Sequence, residues 1–457
     1  MDAALAPGRD MEGDGAGRDA RIAFQNWMIC WVLLPNAPFC LLWFIGGPQR
    51  GIAILVTAFL GLALNRAPFA VRYVGFVASI ILSSLLLVSS IFNLSILSLF
   101  DALRYAGELK ASSSPEYIAA GLAAFLTLAI GWRVFQWPGR LSGRPYFLAA
   151  LIGVGLLQIA DAAIGRSARG FYGRVPSIDA PFSSAVSESG FEALATGNRH
   201  LVIIMVEAMG APATDDLKAR LIDAWAPPAV QARYEVSSGT NLYYGSTTSG
   251  ELRELCGRWG DYRDLIDTRE TCLPARLAAK GYDTQAWHSF EGSMFDRNLW
   301  YPNIGFQKMV FSDAILASGA RRCPGVFPGA CDADVPAQIG GVLKAANRPQ
   351  FLYWLTVNSH LPVIAHEALE TTNCVHYDAG LAADYPMICR LFQVIDGTGR
   401  TVARTITADD FPEADILIVG DHIPPFFQRR DRNLFQPDKV PWMLLRRKNA
   451  TAPHLGG

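Results

Sequence analysis

Apolar and polar positions divide the chain into two regions of different character. Residues 22–164 are dominated by long apolar runs, whereas residues 165–457 mix charges with short apolar runs. An apolar run that approaches ~20 residues predicts a helix long enough to cross a membrane. Five such runs are found, at residues 22–46, 51–68, 73–100, 116–134 and 145–164. The sequence therefore predicts a bundle of about five transmembrane helices followed by a more polar domain.

After residue 200, short apolar runs alternate with amphipathic stretches. Strands are predicted at 201–207, 283–287, 351–357 and 415–420, and helices at 215–225, 249–256, 273–280, 334–346 and 387–407. This alternation is typical of an α/β fold with a mostly parallel sheet between helices. We accordingly divide the chain into a cytoplasmic segment, a transmembrane domain, a Gly/Ser/Arg-rich linker and an outer catalytic domain, at residues 1–21, 22–164, 165–199 and 200–457.

Basic residues in the short connections predict the orientation of this bundle in the membrane. The side that holds the N-terminus carries eight arginines, and the opposite side carries three basic residues, Arg50, Arg104 and Lys110. Since basic residues are enriched in cytoplasmic loops, the N-terminus is predicted to be inside. An odd number of spans then places the C-terminal domain outside the cytoplasm. A net charge of −1 gives no indication of nucleic-acid binding.

Six of the eight cysteines lie in the predicted outer domain. Their spacing favours three local disulfide loops, Cys256 with Cys272, Cys323 with Cys331, and Cys374 with Cys389. The alternative is a zinc cluster, but the chain contains no Cys-x-x-Cys pair. Disulfides agree with an oxidising compartment and so with the predicted orientation.

Two of the predicted strands end on side chains that bind metals. One is followed by Glu207, and the other ends at Gly420 and is followed by Asp421 and His422. Ligands of open α/β sheets bind beyond the carboxyl ends of the strands, so these residues are expected to converge. Two carboxylates and an imidazole, completed by a hydroxyl, suit Zn²⁺ or Mn²⁺. Taken alone, Gly-Asp-His is also compatible with a simple turn.

A hydroxyl cluster, Ser246 to Ser249, precedes the helix predicted at 249–256. A hydroxyl at a helix start lies in the positive potential of free backbone N–H groups, which favours an alkoxide and an incoming phosphate. Thr248 and Glu251 also fit a capping box, in which Thr248 only caps the helix and Thr247 points into a site. The sequence contains no Gly-x-Ser-x-Gly elbow, so a serine-hydrolase arrangement is disfavoured.

Four motifs occur in an order that is similar to a known family. They are the strand ending at Glu207, Gly245-Ser-Thr-Thr-Ser-Gly-Glu251, Asn358-Ser-His-Leu-Pro362 and Gly420-Asp-His-Ile-Pro-Pro-Phe426. Together they resemble the alkaline phosphatase/sulfatase superfamily in its membrane-anchored phosphotransferase branch, which includes lipoteichoic acid synthase and the phosphoglycerol and phosphoethanolamine transferases. The resemblance covers roughly residues 200–430.

The resemblance implies a role for each matching residue. Thr247 matches the nucleophile and also a metal ligand, with Glu207, Asp421 and His422 as the other ligands of one divalent metal, Mn²⁺ or Zn²⁺. On the substrate side, His360 and His288 match active-site histidines, Arg297 a phosphate clamp and Phe295 a tryptophan of the head-group site. Arg297 is alternatively a surface ion-pair residue, and His288 a structural histidine. The sulfatase signature Cys-x-Pro-x-Arg is absent, which argues against sulfate ester hydrolysis.

By this resemblance the protein is expected to move a substituted phosphate, phosphoglycerol being favoured over phosphoethanolamine, through a phospho-threonine. The donor is a membrane phospholipid and the acceptor an envelope glycan or lipid. The expected location is a bacterial inner membrane, with several spans and the catalytic domain in the periplasm. The alternative is a non-catalytic envelope protein whose outer domain binds glycan or partner proteins.

Overall fold

The computed structural model describes residues 10–40, 43, 49–92, 115–166, 181–325, 327–426 and 429–448. The chain forms two compact units, one mainly of residues up to 169 and one mainly of residues from 170. The first is helical and the second is a mixed α/β domain. Each is described separately.

The N-terminal unit is built from helices. They span Asp10–Met28, Ala37–Cys40, Gly51–Ala63, Phe69–Phe92, Pro115–Val134 and Arg144–Arg166, with a π-helical turn at Ile29–Leu33. Their core is aromatic, and the rings of Trp31 and Phe135 meet edge to face at 5.2 Å between centroids. Glycines allow this close packing, since a Cβ on Gly61 would lie 2.5 Å from the Trp31 ring.

Two of the described helices are long and apolar enough to cross a membrane, Phe69–Ser89 and Arg144–Ile164. Gly51–Ala63 and Ile118–Val134 are apolar but shorter. Five spans are therefore not confirmed. The helix predicted over 51–68 ends early because Arg66 and Pro68 follow it. The predicted spans 22–46 and 73–100 lie partly outside the described residues.

The C-terminal unit is organised around a seven-stranded sheet, which confirms the predicted α/β class. The strands, here numbered in chain order, are β1 (His200–Val206), β2 (Tyr234–Leu242), β3 (Asp283–His288), β4 (Lys308–Val310), β7 (Gln350–Leu355), β8 (Ala414–Gly420) and β9 (Lys439–Arg447), with a separate two-stranded ribbon of β5 (Arg322–Cys323) and β6 (Gly329–Ala330). The order in the sheet is β2-β9-β8-β1-β7-β3-β4. Only β9 runs against the other strands of this sheet.

The described α-helices of this unit connect the strands and cover both faces of the sheet. They span Ala185–Glu188, Asp215–Trp225, Pro228–Arg233, Thr247–Cys256, Leu273–Ala279, Arg297–Trp300, Ser312–Ala317, Val335–Ala345, Cys374–Tyr377, Ala379–Asp384, Pro386–Ile406 and Arg429–Arg432. The central strands are buried on both sides, with Ile204 and Trp354 in one core and Ile203 and Tyr353 in the other. Such continuous burial explains why these strands read as apolar runs.

Three disulfides close local loops in the C-terminal unit. They join Cys256 to Cys272, Cys323 to Cys331 and Cys374 to Cys389, as the spacing predicted. Each crosslinks a loop of 8 to 16 residues and so limits the freedom of the unfolded chain.

Candidate active site

The sheet brings two strand ends together at one edge. β1 and β8 are parallel neighbours, with Val206 in register with Gly420, so Glu207 and Asp421 leave the sheet side by side. His422 follows directly. The helix Thr247–Cys256 begins at the same place and presents Thr247 to the two strand ends.

The four side chains lie within contact of one another. The Thr247 hydroxyl donates a hydrogen bond to Glu207 Oε2 at 3.1 Å. His422 Nε2 lies 3.3 Å from Glu207 Oε1 and 3.4 Å from Asp421 Oδ2. Ligand atoms of the two carboxylates and the imidazole all lie within 4.8 Å of one another. The side chains of Glu207, Asp421 and His422 are almost fully enclosed by protein, so they form a buried site and not a cluster of surface residues.

Hydrogen bonds to the backbone, and for Glu207 to the Thr247 hydroxyl, hold these side chains so that one ligand atom of each stays free. Asp421 Oδ1 accepts hydrogen bonds from the backbone N–H of Ala208 (2.8 Å) and of His422 (2.6 Å), while Asp421 Oδ2 is buried and has no hydrogen-bond partner among the described residues. Glu207 Oε1 is unpartnered in the same way. The Nδ1–H of His422 donates to the Ile423 carbonyl at 2.8 Å, which leaves the Nε2 lone pair for the site.

These free atoms fit a divalent cation. Two orphaned carboxylate oxygens and one imidazole nitrogen point at one another, a donor set that suits Zn²⁺ or Mn²⁺. Unpartnered buried carboxylate oxygens are costly, and a cation bound between them removes that cost. Glu207, Asp421 and His422 would hold the metal, with the Thr247 oxygen as a fourth ligand.

The charges of the site agree with this interpretation. Burial and the neighbouring Glu207 carboxylate raise the pKa of Asp421 to about 8. Burial lowers the pKa of His422, but the Asp421 and Glu207 carboxylates outweigh it and raise that pKa to about 10. Both raised pKa values favour a bound proton, one on Asp421 and one on His422, and a metal ion would displace these protons.

The helix Thr247–Cys256 lies very close to the end of β8, and this contact fixes Thr247 relative to Asp421. Gly250 faces the strand end, and a Cβ on it would lie 2.9 Å from the Asp421 carbonyl oxygen. Three residues further along the helix, Arg253 is fully buried and donates to the carbonyls of Gly420 (2.8 Å) and Asp421 (3.1 Å). The helix is thus tied to the segment that carries two of the predicted metal ligands.

We expect Gly250→Ala to damage this site although the change adds one methyl group. The methyl group would press on the Asp421 backbone, so we expect a loss of about 1–3 kcal/mol in unfolding free energy. A small displacement of the nucleophile also lowers turnover, by about tenfold or more. Gly341→Ala is the matched control, because Gly341 is helical with nothing within 4 Å of the added Cβ. A Gly250→Ala variant with wild-type stability and turnover would contradict the proposed contact.

The structure corrects the predicted capping box. The helix begins at Thr247 with Ser246 as its N-cap residue, and Thr248 lies within the first turn. The Thr248 hydroxyl is 3.3 Å from that of Ser246, and the Glu251 carboxylate turns away to Arg297. Thr248 therefore does not act as the cap of a capping box, and Thr247 bonds to Glu207.

His360 follows β7 and lies close enough to the site to interact with Glu207 and His422. Its Nδ1–H donates to the Leu361 carbonyl at 2.8 Å, which leaves Nε2 as a free acceptor in the neutral ring. Burial lowers the pKa of His360, so the ring is neutral near pH 7. The predicted substrate-side role agrees with this geometry and stays a prediction.

His288 ends β3 and donates its Nδ1–H to the Leu355 carbonyl at 3.1 Å. Burial and the positive charge of Arg297 lower the pKa of His288 to about 3, so the ring is neutral. This contact is the kind expected if His288 is a structural histidine. Its role toward a substrate remains a prediction.

Arg297 and Phe295, predicted at the head-group site, make contacts of a different kind. The Arg297 guanidinium is 1% exposed and forms an ion pair with Glu251, with Nη2 at 2.9 Å from Oε2. The hydroxyls of Tyr301 and Tyr353 donate to the same carboxylate. Phe295 packs against Tyr262, 6.0 Å between centroids. Arg297 thus forms an ion pair, as the alternative interpretation expected, but this pair is buried and does not lie on the surface.

Sequence reasoning missed the residues that hold the ligands in place. Thr356 accepts from the Glu207 backbone N–H at 2.9 Å, and Ser359 donates to the Glu207 carbonyl at 2.6 Å. Asp332 accepts a hydrogen bond from the backbone N–H of Asn358 at 2.7 Å, in the loop that leads to His360. The sequence feature that could have identified Thr356 and Ser359 is their position directly after an apolar strand.

Residues 199–438 match the model of the sulfatase family, which is more than half of the chain. The chain belongs to the sulfatase family. Glu207, Thr247, Asp421 and His422 all lie within the matched region. Among curated proteins no match is found.

Solved structures that match this chain include three proteins. The lipoteichoic acid synthase LtaP of Listeria monocytogenes is 15% identical, with a TM-score of 0.45 over 59% of this chain and 70% of that one. The Streptococcus pyogenes phosphoglycerol transferase GacH is 13% identical, with a TM-score of 0.35 over 59% and 77%. The lipooligosaccharide phosphoethanolamine transferase A of Neisseria meningitidis is 13% identical, with a TM-score of 0.41 over 88% and 89%.

Proposed function

We propose that this member of the sulfatase family is a phosphotransferase that uses Thr247 as its nucleophile. One observation carries the proposal: the Thr247 hydroxyl donates to Glu207 at a helix start, beside two unpartnered carboxylate oxygens and a free imidazole nitrogen. A metal bound there would lower the pKa of the threonine hydroxyl and offset negative charge on the phosphate. The absence of the Cys-x-Pro-x-Arg signature favours phosphate over sulfate esters.

The proposed reaction has two steps, each an in-line exchange at phosphorus. In the first, Thr247 Oγ1 attacks the phosphodiester of a membrane phospholipid, the bond to the glycerolipid oxygen breaks, and diacylglycerol leaves with a proton. In the second, an acceptor hydroxyl attacks the phospho-threonine, and Thr247 regains its proton. His360 Nε2, a free acceptor near Glu207, is suited to take up the Thr247 hydroxyl proton and then deliver it to the departing glycerolipid oxygen.

The transferred group is proposed to be phosphoglycerol, with phosphoethanolamine as the second choice, and the acceptor an envelope glycan or lipid. The protein would act in a bacterial inner membrane with its catalytic domain in the periplasm and without a nucleic-acid partner. Support comes from the apolar helices Phe69–Ser89 and Arg144–Ile164 and from three disulfides, which persist in oxidising compartments. Tethering a site to the membrane raises the effective concentration of a lipid donor.

Metal removal tests the centre directly. Full-length protein in detergent is expected to release diacylglycerol from fluorescent phosphatidylglycerol, and chelation is expected to lower that rate by about 100-fold or more. Added Mn²⁺ or Zn²⁺ should restore it. Asp421→Asn should lose both bound metal and turnover, since Asp421 Oδ2 is one of the free ligand atoms.

The alternative, a non-catalytic envelope protein, predicts the opposite result. Such a protein would bind no metal after purification, and Asp421→Asn would leave its metal content unchanged. Metal analysis of wild-type and variant protein, side by side with the diacylglycerol assay, decides between the two functions.

A further inference from the structure

The helical unit contains a polar cluster of its own. Arg50 directly precedes the helix Gly51–Ala63 and is 6% exposed. Around it lie the buried side chains of Asn36 and Asp161 and the ring of Phe39. A buried arginine in such an apolar unit is rare without a partner.

The donors of Arg50 are only partly used. The guanidinium carbon lies 3.6 Å from the centroid of the Phe39 ring, and Nη1 is 3.5 Å from Asn36 Oδ1. Nε and Nη2 are buried and have no hydrogen-bond partner within the part of the chain that the structure describes. Neither is taken by Asp161, whose carboxylate instead accepts from the Arg50 backbone N–H (2.7 Å) and from Trp43 Nε1 (2.9 Å). One edge of the guanidinium is therefore buried and left without a partner among the described residues.

That edge has the shape of a phosphate-binding group. Nε and Nη2 present two parallel N–H donors, the arrangement that binds phosphate oxygens bidentately. Burying such donors unpaired destabilises the folded protein, and an anionic ligand that pairs with them would offset that destabilisation. Stacking on Phe39 fixes the guanidinium plane and so lowers the entropy cost of binding.

The surroundings favour a lipid as the source of the phosphate. The helix that begins after Arg50 exposes Ile52, Leu55 and Phe59, and the helix that carries Asp161 exposes Ile159. Acyl chains can lie along such apolar faces while the head group reaches the arginine. We propose that Arg50 binds the phosphate group of a membrane phospholipid in the helical unit. This site does not depend on the proposed phosphotransfer.

The test compares two lipids that share their acyl chains. Full-length Thr247→Ala protein, delipidated in detergent, is titrated with dioleoylphosphatidylglycerol or dioleoylglycerol, and bound lipid is counted by native mass spectrometry. The Thr247→Ala background prevents turnover, so binding is read independently of the proposed reaction. We expect the phospholipid to bind about tenfold tighter than the diacylglycerol.

Variants assign that preference to Arg50. Arg50→Gln should abolish it, whereas Arg133→Gln, which changes an exposed arginine of the same unit, should keep it. Asp161→Asn removes a negative charge near the guanidinium and should tighten phospholipid binding by a factor of about two or more. That increase separates a ligand site from a purely structural arginine and does not depend on folding of the Arg50 variant.

Three outcomes would overturn the proposal. The first is equal binding of the two lipids by the parent protein. The second is an unchanged preference in folded Arg50→Gln, or weaker binding in Asp161→Asn. The third is full displacement of the phospholipid by millimolar inorganic phosphate, which would identify a site for free phosphate instead.

Discussion

Thr247→Ala is expected to lower the rate of diacylglycerol release by at least about 10³-fold, because it removes the nucleophile. Fold and metal content should stay close to wild type. Thr247 is largely buried at the first position of its helix, and alanine fits that position without a clash. The predicted ligands Glu207, Asp421 and His422 keep the hydrogen bonds that do not involve Thr247. The measurement is the release of diacylglycerol from fluorescent phosphatidylglycerol by full-length protein with Mn²⁺ or Zn²⁺.

Thr248→Ala is the matched control for this prediction. Thr248 is the next residue of the same helix, equally buried, and its hydroxyl contacts Ser246 rather than Glu207. We expect it to retain turnover within a factor of about ten. Mass spectrometry of protein stopped during turnover should find the phosphate adduct on Thr247. Equal losses in the two variants, or an adduct on Thr248, would remove Thr247 from the proposed role.

Much of the site could be predicted because it is built on local patterns. The strands that end near Glu207 and Asp421 are continuous apolar runs with a break after them, so their ends are visible in the sequence. The carboxyl ends of neighbouring parallel strands meet at one edge, which brings residues more than 200 positions apart together. The helices at Asp215–Trp225 and Pro386–Ile406 follow from their amphipathic period in the same way.

Other features could not be predicted because they depend on partners that are distant in sequence. β2 and β9 pair along nine residues, yet β2 is largely polar and only two of its nine residues are buried, so its strand pattern is weak. Arg253 sits in a helix that reads as amphipathic, and local periodicity gives no reason to bury it. Its role appears only when the end of β8 is placed against the helix.

Arg297→Met is expected to destabilise the C-terminal unit by about 3–5 kcal/mol, because it leaves the Glu251 carboxylate charged and buried without its cation. Glu251 is fully buried and its remaining partners are the hydroxyls of Tyr301 and Tyr353. Two tyrosine hydroxyls cannot neutralise a buried charge. Thermal and urea unfolding of the full-length protein in detergent measure the loss, and turnover is measured below the unfolding transition.

The same variant separates the two roles considered for Arg297. A phosphate clamp would lose turnover at wild-type stability, whereas a structural ion pair loses stability and keeps turnover in the fraction that stays folded. Arg258→Met is the matched control, since the Arg258–Glu270 pair has the same chemistry with side chains 32% and 33% exposed. Solvent screens that pair, so its loss should cost less than about 1 kcal/mol.

Glu251→Gln completes the comparison, because it keeps a side chain that can hydrogen-bond to the tyrosines but removes the negative charge. In that background Arg297→Met should cost much less than in the wild type, since no unpaired carboxylate is left behind. Equal costs in the two backgrounds would show that Arg297 acts independently of Glu251. Arg297 would then be free to serve the substrate, as the phosphate-clamp prediction requires.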